Sequence, residues 1–293
     1  MGVVGKYFFA ALKQSPNFKI VAICDKKNDI SETSCSFYRS YQELCADEVV
    51  MKSVDAAIIC LPNHLHVLCA QDFLSKGKHV LCEKPLCFTI ADAAMLQVLA
   101  NERHLTLMTA FHRRYNFHFK KFHEAIDEPI KVIHARYLEN IKQHSDSDWY
   151  LYNAKSGGGC VIDNGSNVFD LIRLLVGEIS IERAYMGGYA GENESHAYID
   201  FSFKTGRGTI ELDWNFDGEC KDISVYTANK SHHADLIAET KHDIRTVNFK
   251  GSLWHEYEDC IRDFYEHVIG KISFDNEDVV RCVNQCYTEA KQN

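Results

Sequence analysis

The feature that most constrains this chain is the alternation, over its first hundred residues, of helical stretches with short and nearly continuous apolar runs. Val4 to Gln14 has helical spacing, with Phe8, Phe9 and Leu12 on one face. Phe18 to Cys24 reads as a strand closed by Asp25, and Val54 to Cys60 as another, closed by Leu61-Pro62-Asn63. A helix over His66 to Lys76, a strand over His79 to Cys82, a helix from Ile90 to Arg103 and a strand from Leu105 to Ala110 follow. Strands without polar alternation are covered on both faces, and helices between them supply the cover; the pattern predicts a parallel, doubly wound sheet.

After residue 111 the texture changes. A polar helical stretch precedes a strand over Ile130 to Leu138, and a helix is expected over about Val168 to Leu175. Alternation of period two then dominates, at Ala197 to Phe203, Gly208 to Trp214 and Ile223 to Thr227, with turns at Lys204-Thr205-Gly206 and Asp217-Gly218. Helix returns from Trp254 to Ile269 and from Asn276 onward. The expected fold is α/β: a Rossmann-type parallel sheet over 1–111, then an α+β domain over 112–293 built on an open, largely antiparallel sheet. The second unit would bind substrate and oligomerise, and its last helix could pack back on the first.

A dinucleotide site requires a strand, a glycine-rich turn, a helix, and an acidic residue about twenty positions on. Gly2-Val3-Val4-Gly5 enters a helix directly, and Asp25 closes the next strand. Gly2 and Gly5 fit the second and third glycines of that turn, so a first strand is expected before Met1. In this fold that strand is central, and its absence leaves two strand edges without ladder partners. The functional chain is therefore expected to be longer by about one strand, roughly six to ten residues.

Composition narrows the partners. A formal net charge of -9 argues against nucleic acid or an anionic membrane surface. No run of eighteen apolar residues and no secretory signal is evident, so a cytoplasmic location is expected. Twelve cysteines without a CxxC pair then read as buried free thiols. With no HExxH, and with His64/His66 and His232/His233 lacking partners, no metal site is expected.

Two motifs carry more. Cys60-Leu61-Pro62-Asn63-His64-Leu65-His66 is followed by Gly77-Lys78-His79-Val80-Leu81-Cys82-Glu83-Lys84-Pro85-Leu86. Phe111-His112-Arg113-Arg114-Tyr115-Asn116 and the run from Gly157-Gly158-Gly159 through Asp163, Gly165 and Asn167 to Asp170 lie downstream. Together they resemble the glucose–fructose oxidoreductase/inositol dehydrogenase (Gfo/Idh/MocA) family, over nearly the whole chain. The resemblance implies hydride transfer between NAD(P) and a carbon of a sugar, cyclitol or related polyol. It also implies assembly as a homodimer or homotetramer through the sheet. Two positions depart from the family pattern: Leu61 stands where Thr is frequent, and Asn167 where His, or sometimes Tyr, is usual.

Hydride transfer to or from an alcohol carbon needs a group that takes or returns the hydroxyl proton. Lys84, at a strand's carboxyl end, is the candidate, its pKa lowered beside an oxidised nicotinamide. The resemblance sets Asp163 against substrate hydroxyls and Lys84; the plainer alternative is a helix N-cap. Asn167 can orient a hydroxyl but cannot shuttle a proton. Arg113 and Arg114 either bind a phosphate or carboxylate on the substrate or pair with acidic surface groups. The cofactor would be held by Gly2, Val3, Val4, Gly5, Asp25, Lys26, Leu61, Pro62, Asn63, His66, Glu83 and Lys84. Asp25 favours NAD by repelling a 2′-phosphate, and Lys26 and Lys27 keep NADP open. A rival reading is a catalytically inactive relative that serves as a nucleotide-binding scaffold, a role Asn167 would suit.

Overall fold

A computed structural model describes residues 2–27, 35–143, 148–242, 245–247 and 253–291. The first hundred residues alternate as expected: α1 (Val3–Gln14), β1 (Ala22–Cys24), β2 (Ser36–Tyr38), α2 (Tyr41–Ala46), α3 (Glu48–Met51), β3 (Ala56–Ile59), α4 (His66–Ser75), β4 (His79–Glu83), α5 (Ile90–Glu102) and β5 (Leu107–Ala110). β2, α2 and α3 are too short to show periodicity in sequence. The two helices are fixed instead by local caps, Ser40 accepting from the Glu43 amide and Asp47 from the amides of Val49 and Val50, and β2 by its pairing with β1.

The parallel strands fall into two sheets. β3, β4 and β5 pair in that order, Ala57 opposite Val80 and Val80 opposite Leu107, while β1 pairs only with β2. Among the described residues, no ladder joins β1 to β3.

The second half contains α6 (Phe117–Ala125), β6 (Val132–Asn140), α7 (Asn153–Ser156), α8 (Cys160–Val176), β7 (Ile179–Ala190), β8 (Asn193–Phe203), β9 (Gly206–Asp213), β10 (Asn215–Tyr226), β11 (Ser231–Asp235), α9 (Trp254–Gly270) and α10 (Asp278–Ala290). The sheet order is β11-β10-β6-β9-β8-β7; only β6 and β9 run parallel. Two expectations need correction. Asp217-Gly218 is no turn but lies within β10, where the register against β6 slips between Asn215 and Glu219. And α8 begins eight residues earlier than the apolar periodicity suggested, because its first two turns carry Asp163, Asn164, Gly165, Ser166 and Asn167.

One face of this sheet is covered. Ile133, Ala135 and Tyr137 of β6, Ile210 and Leu212 of β9 and Ala197, Ile199 and Phe201 of β8 are buried beneath α8 and its neighbours. Gly165 lets α8 lie close, since a Cβ there would stand 3.3 Å from the Leu212 side chain. The chain end then returns to the first half. Tyr257 of α9 stacks on Tyr7 and meets Phe8 edge-on, at centroid distances of 5.3 and 4.8 Å. Asn276, before α10, accepts from the amide and hydroxyl of Thr109 at 2.9 and 2.7 Å and donates to Gln97 and the Leu107 carbonyl. These contacts tie α1 to α9, and β5 to the segment before α10.

Candidate active site

β4 delivers Glu83 and Lys84 at its carboxyl end, the side on which open parallel sheets bind ligands. His66 opens α4 and is fully buried, with Nε2 2.7 Å from the Leu61 carbonyl and Nδ1 2.8 Å from the Pro85 carbonyl. It therefore ties the loop after β3 to the loop after β4. Burial holds the ring below the usual histidine pKa even though both carbonyls favour its charged form. Asn63, also buried, donates to the Ser156 carbonyl at 3.0 Å, so the Leu61-Pro62-Asn63 segment is anchored to α7 as well.

Asp163 arrives on α8. Gly157 ends α7 at φ +83°, a left-handed conformation that favours glycine. A Cβ on Gly159 would stand only 1.8 Å from the Glu194 carbonyl oxygen. Glu194 then caps α8: its carboxylate accepts from the amides of Gly159 and Val161 at 2.9 and 3.2 Å, and from the Tyr287 hydroxyl at 2.8 Å. A carboxylate at a helix N-terminus is favourably placed. Asp163 is not an N-cap. It lies in the first turn, its own amide bonded to the Gly159 carbonyl at 3.1 Å, which leaves its side chain free for another partner.

That partner is Lys84. Its Nζ pairs with Asp163 Oδ1 and donates to the Asp163 carbonyl at 3.3 Å, across 79 positions of sequence. Both side chains are partly exposed. Burial draws the Lys84 pKa down, but Asp163 outweighs it, helped by Glu83 and Glu139, and holds the ammonium above its ordinary value. The lowered pKa expected of Lys84 is thus not a property of the protein alone.

Glu83 lies beside this pair. It is buried; Oε2 accepts the Lys84 amide at 3.1 Å, and Oε1 has no partner among the described residues. Burial pushes its pKa up to about 7, only partly offset by Lys84 and the Tyr257 hydroxyl. Behind it runs a buried polar chain. His112 Nδ1 lies 2.6 Å from Glu256, Arg113 donates to Glu256 at 3.0 Å and to the Tyr137 hydroxyl at 3.1 Å, and Asn116 donates to Glu256 at 2.8 Å. Arg113 is thus engaged by Glu256, and Arg114 by Asp170. The acidic partners expected at the surface are buried carboxylates.

Asn167 lies one turn beyond Asp163 and is 2% exposed; its Oδ1 has no hydrogen-bond partner among the described residues. Sequence reasoning missed Glu194, Glu256, Glu139 and Lys221. The last two had a signal: each falls in phase with apolar neighbours on a strand, Glu139 with Ala135 and Tyr137, Lys221 with Ile223 and Val225.

At the nucleotide end Gly2 is the N-cap of α1. The helix has no side-chain cap among the described residues and no acidic residue in its first turn. Val3, Val4 and Gly5 therefore present amides without a competing carboxylate, as a bound pyrophosphate needs. Asp25 follows β1, its Oδ1 accepting the Lys27 amide at 2.9 Å, and Lys26 is exposed beside it. These residues suit a dinucleotide.

Residues 1–111 match the family model described as the oxidoreductase family with an NAD-binding Rossmann fold, and 128–232 match the GFO/IDH/MocA C-terminal domain. The chain belongs to the Gfo/Idh/MocA family of oxidoreductases. Among its relatives is the D-xylose 1-dehydrogenase (NADP(+)) 2 of Haloferax volcanii, 30% identical over 72% of this chain and 68% of that protein. The myo-inositol 2-dehydrogenase of Thermotoga maritima is 27% identical over 82% of this chain and 75% of its own length. GenD2 from gentamicin A biosynthesis, solved in complex with NAD, has the same fold, with a TM-score of 0.85 at 20% identity over 98% of this chain and 91% of that one. In this family the N-terminal half is the NAD-binding Rossmann domain.

Proposed function

We propose that this Gfo/Idh/MocA oxidoreductase moves a hydride between nicotinamide and a carbon bearing a hydroxyl in a sugar, cyclitol or related polyol. Lys84 and Asp163 handle the proton. The observation that carries this reading is the Lys84–Asp163 pair, formed between the carboxyl end of β4 and the first turn of α8. Relatives named as inositol and xylose dehydrogenases support the substrate class.

Bound NAD supplies the hydride acceptor, together with a positive charge when oxidised. Gly2, Val3, Val4 and Gly5 would hold its pyrophosphate at the α1 N-terminus, and Asp25 would meet the ribose. Leu61, Pro62 and Asn63 shape the loop above β3, held in place by His66. A substrate hydroxyl that takes Asp163's place at Lys84 removes the contact that raises the lysine; the ammonium then gives its proton to solvent, and the neutral amine accepts the hydroxyl proton. Asn167 accepts or donates a hydrogen bond to a neighbouring hydroxyl. Arg113 and Glu83 act behind Lys84, as positioning residues. A cytoplasmic location accords with the cysteine usage, and no helix among the described residues is long and apolar enough to cross a membrane.

A screen of neutral polyols and sugars with NAD and NADP, following absorbance of the reduced nicotinamide, tests the reading. Turnover on at least one polyol is expected. Nucleotide binding without turnover on any would instead favour a non-catalytic scaffold.

A further inference from the structure

Among the described residues, three buried polar atoms without a hydrogen-bond partner belong to residues that flank the Lys84–Asp163 pair: Glu83 Oε1, Asn164 Nδ2 and Asn167 Oδ1. Glu83 precedes Lys84, Asn164 follows Asp163, and Asn167 lies one turn further along α8. The two asparagines are each 2% exposed. An unmet donor or acceptor in such a place is costly, and it calls for a partner from outside the chain.

Helical geometry orders these side chains. Asp163, Asn167 and Asp170 form one stripe of α8, fixed at both ends by ion pairs, Asp163 with Lys84 and Asp170 with Arg114. Asn167 sits between those two contacts. Asn164 is its neighbour on the helix surface and belongs to a second stripe, with Cys160, Val168 and Leu171. Those three are apolar and fully or almost fully buried. A leucine in the place of Asn164 would continue the stripe, and it is the better helix former. Packing and propensity therefore give no reason for an asparagine there.

The orphaned atoms are a donor on Asn164 and an acceptor on Asn167, on adjoining stripes of the helix that brings Asp163 to Lys84. A hydroxyl both donates and accepts, so a single one can meet both amides. We propose that Asn164 is a further substrate-binding residue: with Asn167 it takes a second hydroxyl of the polyol, beside the one at Lys84, and so determines which polyols are accepted. The inference rests on the proposed function above, which gives Asn167 a hydroxyl, and adds to it Asn164 and the pairing of the two. A polyol that lacks this hydroxyl leaves both amides unmet, and a site built to bond a hydroxyl rejects such a molecule. Water shares the two-way chemistry of a hydroxyl, and the experiment separates the two occupants.

The test uses the polyol that turns over in the screen above and its monodeoxy analogues at each non-reacting carbon. Wild type, Asn164→Leu and Asn164→Ala are compared, with NAD affinity and thermal melting measured on each. In the wild type one analogue should fall about a hundredfold below the parent in kcat/KM, for two lost hydrogen bonds. In Asn164→Leu that ratio should shrink to about tenfold or less, through a higher KM for the parent, with NAD affinity within about threefold. Its melting temperature should equal or exceed that of the wild type, because an unmet buried donor has left. Asn164→Ala reads the same ratio should the leucine variant fail to fold. Wild-type indifference to every analogue, or an unchanged ratio in folded variants of an active enzyme, would overturn this inference alone. A lower melting temperature with the ratio unchanged would assign the asparagines a structural water, and failure of both variants to fold would make Asn164 structural; either overturns it. A wild type without turnover on any polyol would instead remove the reading of function beneath it.

Discussion

At the residue scale, the site sets charges by pairing and burial. Glu83 shows it most directly. Burial puts its folded-state pKa at about 7, above the ordinary 4.5. A carboxyl raised in this way stabilises the fold below its unfolded pKa, and the contribution is lost as pH rises through the folded value. Glu83→Gln should therefore gain on the wild type between pH 4.5 and pH 8, by on the order of 3 kcal/mol. His112, depressed to about 4, and Glu256, to about 2, push stability the other way as pH falls, so the difference between the two chains isolates Glu83. Urea unfolding at pH 5 and pH 8 checks it; a difference independent of pH would mean that Glu83 is solvated. Asp25 offers a second test. Its carboxylate anchors the Lys27 amide just after β1, with Lys26 exposed beside it. Asp25→Ser keeps a local acceptor for that amide and removes the negative charge. The NADP-to-NAD ratio of kcat/KM should rise, by roughly tenfold for one lost like-charge contact at the surface. An unchanged ratio would place the ribose elsewhere.

At the element scale, α8 carries Asp163 and Asn167, and Glu194 at the start of β8 sets where α8 begins. Glu194→Ala should cost about 1–2 kcal/mol, the usual loss for a helix cap, and should lower kcat more than it weakens NAD binding, because the first turn of α8 holds Asp163. Melting temperature and cofactor titration separate the two effects; equal damage to both would mean that the cap serves the fold alone. This element also shows what a sequence can reveal. The alternation of β3, α4, β4, α5 and β5 was legible because each strand is a short, largely apolar run set off from the next by a longer helical stretch. Lys84 was legible from its place after such a strand. The first turns of α8 were not, because small and polar residues, Asp163 to Asn167, interrupt the apolar spacing there, and the cap comes from another element 33 to 35 positions away. Glu256 was hidden for the same reason: its partners His112 and Arg113 are more than 140 positions distant, and no local pattern records an ion pair across that span.

At the scale of the whole molecule, the two halves share an apolar core, in which Phe8 meets Tyr257, and meet also through polar residues. The outer face of the large sheet carries Tyr185 opposite Tyr198, 48% and 41% exposed, with Tyr226 further along. We expect this face to pair with a second copy, and Tyr198→Glu, which sets a charge in an apolar contact, should shift a dimer or tetramer toward monomer in sedimentation; an unchanged mass would put the contact elsewhere. Catalysis depends more directly on the inner meeting, where Lys84 from the first half and Asp163 from the second come into contact. The measurement that tests this most directly is single-turnover hydride transfer by Lys84→Met, alongside its NAD dissociation constant. General acid–base catalysis is worth about two to four powers of ten. The rate should fall by that much while NAD affinity stays within a few-fold. A near-normal rate, or a loss of NAD binding that accounts for the whole defect, would contradict the assignment of the proton to Lys84.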